Sequence, residues 1–582
     1  MNRILLLIFA TLLLCPKTWA DDFETATDAV KHMGLGWNLG NTLDANNQQY
    51  HDPTQANYWG QQDIASESCW GQFTTKAELF AMMKNAGFGA VRVPVTWYNH
   101  MDMDGNVDET WMNRVCEVVD AVISQGLYCI INVHHDTGAD RDGFKSWIKA
   151  DPTNFAGNEA RYKKLWQQIA EKFRNYDQHL LFEAYNEMLD TQSSWNYASF
   201  KSPGQYNATV ASQAYSAINS YAQRFVDVVR ATGGNNAQRN IIVNTYAGCA
   251  GYDAHGGTGT YYTHLLDPLK QMNKPTGESN HLIFQVHTYP NISNLTTAKT
   301  RIDQMISDLN TQLVVEKGAP VIIGEWGTSN VDAGEGKTDY DIRREQMFQF
   351  VDYFIKKTKE NNIATFYWMG LSDGMSRLYP AFHQSDLALK MLKAYHGDDY
   401  SPTLPDVQNY NDAAFTATIN YWSGKQWQWA EFNLFKGSIS SSDYQGIQLE
   451  LETAPANNEL QFKVIGKNTT TSYITQASSS LTFTSTMGTI TSITLQWCKE
   501  TGGTVKIKGL WLIKKDGTKQ VSNPSVAWGC DMSDVDIITG IRDITTTPTR
   551  PAHEAIYNLH GQRITTPQKG IYIKNGKKLF LK

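Results

Sequence analysis

Short apolar runs alternate with longer amphipathic stretches from Asp21 to about His396. The short runs suit buried parallel strands; the longer ones, with apolar residues every three or four positions, suit helices packed on a sheet. Eight strands are predicted, at residues 35–41, 91–95, 129–135, 180–187, 241–247, 282–289, 321–327 and 363–370. Helical periodicity falls between them, for example over residues 75–86, 111–125 and 161–173. This strand–helix rhythm predicts an α/β fold, a (β/α)8 barrel over residues 21–400. No glycine-rich phosphate loop follows the first strand, which argues against a doubly wound open sheet.

Residues 397–406 (GDDYSPTLPD) are rich in turn formers and read as a linker. Beyond them the pattern becomes strict alternation, as in TATINYW and VKIKGLWLIKKDG, and predicts an all-β sandwich over residues 404–535. Trp427 and Trp429 share one face of a strand there and could form a glycan-stacking strip, although a buried core face is the preferred account. A break at residues 545–551 (TTTPTRP) lies within a short β-rich tail, residues 541–582. At the other end, Arg3, an apolar run over residues 4–14 and Thr18-Trp19-Ala20 read as a cleaved signal peptide, residues 1–20. A secreted or cell-surface protein is expected, and no other stretch is apolar enough for a membrane span.

The 582 residues carry a net charge of −7, so nucleic acid and anionic membranes are not expected partners. A monomer is expected. Aromatics make up 12% of the chain, with 17 Trp and 28 Tyr, a surplus that suits packing against pyranose faces. Removal of Cys15 with the leader would leave six cysteines, of which Cys498 and Cys530 are the best candidates for a bridge.

Two of the predicted strands end on carboxylates, Glu187 (LLFEAYNEM) and Glu325 (PVIIGEWG). One such residue could be a solvated strand terminus. Two, at the mouth of a parallel barrel, suggest acid and nucleophile work on a glycosidic bond. Strand parity groups Glu183, Tyr185 and Glu187 on one face, His287 with Tyr289, and Ile323 with Glu325. Glu183, two residues deeper, reads as a structural carboxylate paired with Arg92. The same parity sends His134 and His135 to opposite faces, so only one enters the site and the two cannot chelate together. No metal and no cofactor are expected.

GWNLGNTLDA (36–45), VRVPVTW (91–97), NVHHD (132–136), YNE (185–187), HTY (287–289), GEWG (324–327) and FYWMG (366–370) occur in an order that resembles glycoside hydrolase family 5. That resemblance covers nearly the whole first domain. It implies a retaining endo-β-1,4-glucanase, a cellulase, with Glu187 as general acid/base and Glu325 as nucleophile. It implies that Asn186 bonds the sugar 2-hydroxyl, Arg92 and Tyr289 orient Glu325, and His134 and His287 hold the network. Trp368 would form the floor under the sugar, with His135 and Asn41 supporting. Met188 stands where many members have proline, a departure that touches subfamily more than mechanism. Cellulose or a soluble β-glucan is the expected substrate and partner; xyloglucan and mannan are served by the same framework. An inactive glycan-binding barrel is the alternative of a different class. The tail sequences IYNLHGQRI and GIYIKNGKKLFLK resemble secretion and sorting domains of Bacteroidota.

Overall fold

The computed structural model describes residues 23–539, apart from 47–51, 141–144, 193–205, 252–263, 330–337, 369, 379, 406–412, 433–437 and 523, together with four strand segments between 556 and 581. The predicted leader and the break at 545–551 lie outside the described residues.

All eight predicted strands form, each shorter than its apolar run. They are β1 (Leu35–Asn38), β2 (Ala90–Val93), β3 (Tyr128–Asn132), β4 (Leu180–Glu183), β5 (Ile241–Asn244), β6 (Leu282–Thr288), β7 (Val321–Trp326) and β8 (Ala364–Trp368). They pair in parallel in chain order, and β8 closes on β1. Alternation then sorts the side chains. Val91, Ile131, Phe182 and Val243 point outward to the helices. Ala90, Ile130, Leu181, Ile242, Ile283, Ile322 and Phe366 fill the barrel's lower interior. Helix α1 (Ala26–Met33) joins that lower cluster through Ala26, Ala29, Val30 and Met33. It is capped at its start by the Thr25 hydroxyl, which accepts from the Asp28 N–H.

Above the apolar layer the next inward positions of β1 to β6 are polar: Asn38, Arg92, Asn132, Glu183, Asn244 and Gln285, each fully buried. Such groups are tolerated only when paired, and their pairing builds the floor of the site.

The C-terminal region forms antiparallel sheets. One five-stranded sheet contains Gln428–Phe432, Leu460–Ile465, Thr470–Tyr473, Ser492–Trp497 and Pro524–Trp528. A second is built on Ala413–Tyr421, Tyr444–Leu451, Ser478–Thr482, Gly503–Lys514 and Cys530–Thr539. The two sheets share one hydrophobic core, which also takes in Phe73 and Leu378 from the barrel's loops. The segment expected to be a linker lies against the barrel: Leu404 packs on the barrel core, and the Phe382 N–H donates to the Pro405 carbonyl at 2.8 Å. The expected Cys498–Cys530 bridge is not formed; Cys498 Sγ lies against the Gln496 carbonyl and Cys530 Sγ against that of Trp429. The tail strands, Ile556–Tyr557, Arg563–Ile564, Gly570–Lys574 and Lys577–Leu581, form a separate four-stranded sheet.

Candidate active site

Arg92, at an inward position of β2, is the hub of the polar layer. Its Nε and Nη2 donate to the two Glu183 oxygens at 2.7 and 2.8 Å. Nη1 donates to Glu325 Oε1 at 2.8 Å and Asn38 Oδ1 at 3.0 Å, and Nη2 also reaches Asn186 Oδ1 at 2.8 Å. Glu183 receives further N–H bonds from Asn132 (3.0 Å) and Asn244 (3.1 Å). Burial pushes the Glu183 carboxyl up, but the charge and hydrogen bonds of Arg92 overcome this and hold it below its ordinary range. Glu183 is thus the structural counter-ion that fixes Arg92.

Glu325 also accepts the Tyr289 hydroxyl at 2.9 Å on Oε2. His287 donates from Nδ1 to Glu187 Oε1 at 2.8 Å and stands 3.5 Å from Glu325 Oε2. Gln285 Nε2 lies 3.3 Å from His287 Nε2 and orients the ring from behind. One oxygen of Glu187, one of Glu325 and a nitrogen of His287 lie within 4.8 Å of one another. Burial raises the Glu187 pKa, and the nearby charge of Glu325 raises it further, against the lowering effect of the His287 hydrogen bond. Burial opposes charge on His287, yet the two glutamates raise its pKa above the ordinary value.

His134 accepts from Asn132 Nδ2 at 3.0 Å through Nδ1, so its proton is on Nε2, 3.9 Å from Glu325 Oε1. Burial drives the His134 pKa well down and keeps the ring neutral. Trp368 lies parallel to that ring, with centroids 5.8 Å apart and planes 6° from parallel, and is partly exposed at the end of β8.

Several placements differ from strand-parity expectation, each because the strand has ended or is bulged. β3 stops at Asn132, so His134 and His135 do not diverge; their ring centroids are 4.5 Å apart and both approach Asp44. β4 stops at Glu183, so Tyr185 does not follow Glu183 inward. Its hydroxyl donates to the Asn244 carbonyl, and the residue is buried in the outer core. In β7, Ile323 is in the outer core although it shares parity with Glu325. A bulge places Gly324 opposite no residue of β6, with Val286 paired to Ile323 and His287 to Glu325. The extra residue turns Glu325 into the barrel.

Asn41 is partly exposed in a left-handed turn (φ 58°), and no described hydrogen bond of the network involves it; Asn38 makes the bond to Arg92. Asn38, Asn132, Asn244 and Gln285 were not singled out from sequence. Their signal is a polar residue at an inward position where each apolar run closes. Of the loop aromatics that could offer sugar platforms, Trp59, Trp97 and Tyr98 are buried. Trp70 is partly exposed and packs over His135 at 5.2 Å.

Among the described residues two groups could hold a metal: Glu187 with His287 and Glu325, and Asp44 with His134 and His135. The first is spanned by the His287–Glu187 and Tyr289–Glu325 hydrogen bonds. In the second, His134 presents N–H rather than a lone pair toward the site. Both arrangements suit proton handling, and a metal would have to displace them.

Comparison with known proteins places this geometry. Residues 47–373 match the family "Cellulase (glycosyl hydrolase family 5)". Endoglucanase B of Neocallimastix patriciarum is 30% identical over 389 residues, covering 64% of this chain and 71% of that one. Endoglucanase 1 of Ruminococcus albus is 33% identical, covering 55% and 70%. Among solved structures, a broad-specificity endoglucanase from an uncultured bacterium is 57% identical with a TM-score of 0.60, covering 66% of this chain and 98% of that one. A family 5 enzyme from Prevotella bryantii B14, solved with a xyloglucan tetradecasaccharide, is 39% identical with a TM-score of 0.54, covering 64% and 99%. The family match takes in more than half of the sequence and contains both Glu187 and Glu325, so the chain belongs to glycosyl hydrolase family 5.

Proposed function

We propose that the protein hydrolyses internal β-1,4-glucosidic bonds of β-glucans with retention of configuration, Glu325 being the nucleophile and Glu187 the general acid/base. The observation that carries this is the Glu187–His287–Glu325 cluster within 4.8 Å. Carboxylate oxygens that near to each other fit the roughly 5–5.5 Å carboxyl separation of direct attack better than the roughly 6.5–9.5 Å that leaves room for an attacking water.

In the first step a Glu325 oxygen bonds to the anomeric carbon while Glu187 gives its proton to the departing glycosidic oxygen. Arg92 and Tyr289 fix the attacking carboxylate. Once Glu325 is an ester its charge is gone, and with it one influence that keeps Glu187 protonated. Glu187 then takes a proton from water, the water oxygen displaces Glu325, and both carboxyls return to their starting forms. Asn186, held by Arg92 beside Glu187, is placed for the sugar 2-hydroxyl, and Trp368 for the ring face.

The relatives' descriptions, endoglucanase and broad-specificity endoglucanase, support a mixed β-glucan range, with xyloglucan a second candidate from the Prevotella bryantii complex. Residues 1–20 support export, and among the described residues no helix is long and apolar enough to cross a membrane. The tail motifs and their four-stranded sheet support a role in secretion or sorting. Release of reducing ends from carboxymethyl cellulose, barley β-glucan, xyloglucan and mannan, with and without chelator, tests the reading. No release from any of them would favour a glycan-binding barrel, and chelator-sensitive release would overturn the metal-free mechanism.

A further inference from the structure

The five-stranded sheet carries, on the face opposite its core, a row that the barrel chemistry does not use. Strand register aligns Trp429 with Gln496, Gln496 with Gln461, and Gln461 with Tyr473. The intervening residues Ala430, Leu495 and Phe462 are in the hydrophobic core, so the aligned row faces away from it. This reverses the sequence preference for a core role at Trp427 and Trp429. Trp429 is partly exposed, while Trp427 and Tyr473 are 45% and 48% exposed.

Between these rings lie two polar side chains, Gln461 and Gln496, which are themselves buried at 6% and 5% exposure. Gln461 Nε2 donates to Gln496 Oε1 at 2.8 Å, and Gln496 Nε2 donates to the Trp427 carbonyl at 3.2 Å. The amides are thus held in fixed orientation, and the second anchors the backbone of Trp427. That backbone has φ 68°, a left-handed conformation that is an outlier for a bulky side chain. Strain of this kind persists where the surrounding structure imposes it, and it concentrates at ligand sites. Here it coincides with a large exposed ring beside the buried amides.

The row suits a particular chemistry. From Trp429 to Tyr473 it crosses three strand spacings, about 14 Å, the scale of a short oligosaccharide. It contains no charged side chain, and in the next row Glu431 is matched by Lys463 through Thr494. A neutral ligand is favoured over an anionic one. The exposed and partly exposed rings of Trp427, Trp429 and Tyr473 along this neutral row match the C–H faces of a chain of pyranoses, while the buried amides beneath them hold the Trp427 backbone in place. We propose that this row is a second glycan-binding site, separate from the barrel cleft, for a β-1,4-linked glucan chain; the identity of the glucan rests on the activity proposed above.

The test uses the full chain carrying Glu325→Gln, titrated calorimetrically with cellohexaose. Two sites are expected. Trp429→Ala and Tyr473→Ala should each weaken the same one by roughly tenfold, and Trp368→Ala should weaken the other. Tyr473, half exposed on an edge strand, can be truncated without disturbing the core. Cellohexaose hydrolysis by the otherwise native chain should be unchanged by either sheet variant. Binding unaltered by both sheet variants, in a chain that still cuts glucan, overturns this site and leaves the proposed activity standing. Loss of one site in a chain whose native form cuts no glucan supports the sheet site and overturns the activity.

Discussion

A Cβ on Gly324 would lie 2.2 Å from Cδ of Gln285. The two residues face each other inside the barrel, and only a missing side chain at the bulge lets Gln285 stand behind His287. Gly324→Ala must push the Gln285 amide away or straighten the bulge that aims Glu325. Overpacking of this kind costs about 1–3 kcal/mol. Displacement near the reacting groups by about 1 Å can cost 10²-fold in rate. Gly324→Ala should therefore fold with a modestly lower Tm and lose on the order of 10²-fold in kcat/KM. Wild-type rates on a soluble β-glucan would remove the bulge from the mechanism.

His287 gives the second prediction. Its hydrogen bond to Glu187 lowers the pKa of that carboxyl, against burial and the charge of Glu325, which raise it. The acid must hold its proton in the first step, so the alkaline fall of kcat/KM follows its ionisation. His287→Asn removes the lowering influence. The alkaline limb should move to higher pH while the maximum rate falls, because Glu187 is less well placed. A limb that stays put or moves down would show that His287 does not act on Glu187 in this way.

Glu183 is expected to matter for stability. It is fully buried with Arg92, and removing one partner of a buried pair typically costs about 3–5 kcal/mol. Its folded pKa is depressed, so its contribution is present above the ordinary glutamate range and is lost as pH falls through the lower folded value. Glu183→Gln should lower the Tm near neutral pH, and the deficit should narrow as both chains are taken into acid. Activity should fall too, because Arg92 would no longer be fixed beside Glu325. A deficit independent of pH would assign the loss to packing rather than charge.

The barrel was legible because each strand is an unbroken apolar run, and the two glutamates because each run closes on a charge. Side-chain direction beyond a strand's end was not legible. Tyr185, His135 and Glu325 all depart from simple alternation, at two strand ends and one bulge, and a bulge depends on the neighbouring strand's register. The polar layer was half visible: Arg92 and Glu183 stand out as charges in apolar runs, whereas Asn38, Asn132, Asn244 and Gln285 resemble ordinary strand ends. At Trp427 and Trp429 shared parity was readable, but which face met the core depended on how the second sheet packs. The stretch at 397–406 has a linker's composition, yet Leu404 and Pro405 lie against the barrel. Turn-rich sequence fixes chain direction, not detachment.

The roles of the two glutamates separate by stereochemistry. Glu325→Ala removes the attacking oxygen, so glycosyl-enzyme formation should fail for every substrate, whatever its leaving group. The truncated side chain leaves room on that face of the sugar. A small anion such as azide can attack from there, and with Glu187 still protonating the leaving group the product is a glycosyl azide of inverted configuration. Glu187→Ala removes the proton donor, a contribution of roughly 10²–10⁴-fold. An aryl glycoside with a good leaving group needs little protonation, so its first step should survive and the Glu325 ester should accumulate. Azide then enters from the face the leaving group vacated, without needing a general base, and restores turnover with retained configuration. NMR of the anomeric centre, for both variants with azide present, reads the outcome directly. Rescue with inversion in the Glu187 variant and retention in the Glu325 variant would exchange the two roles. Rescue of neither, with activity intact in both, would place the chemistry elsewhere in the barrel.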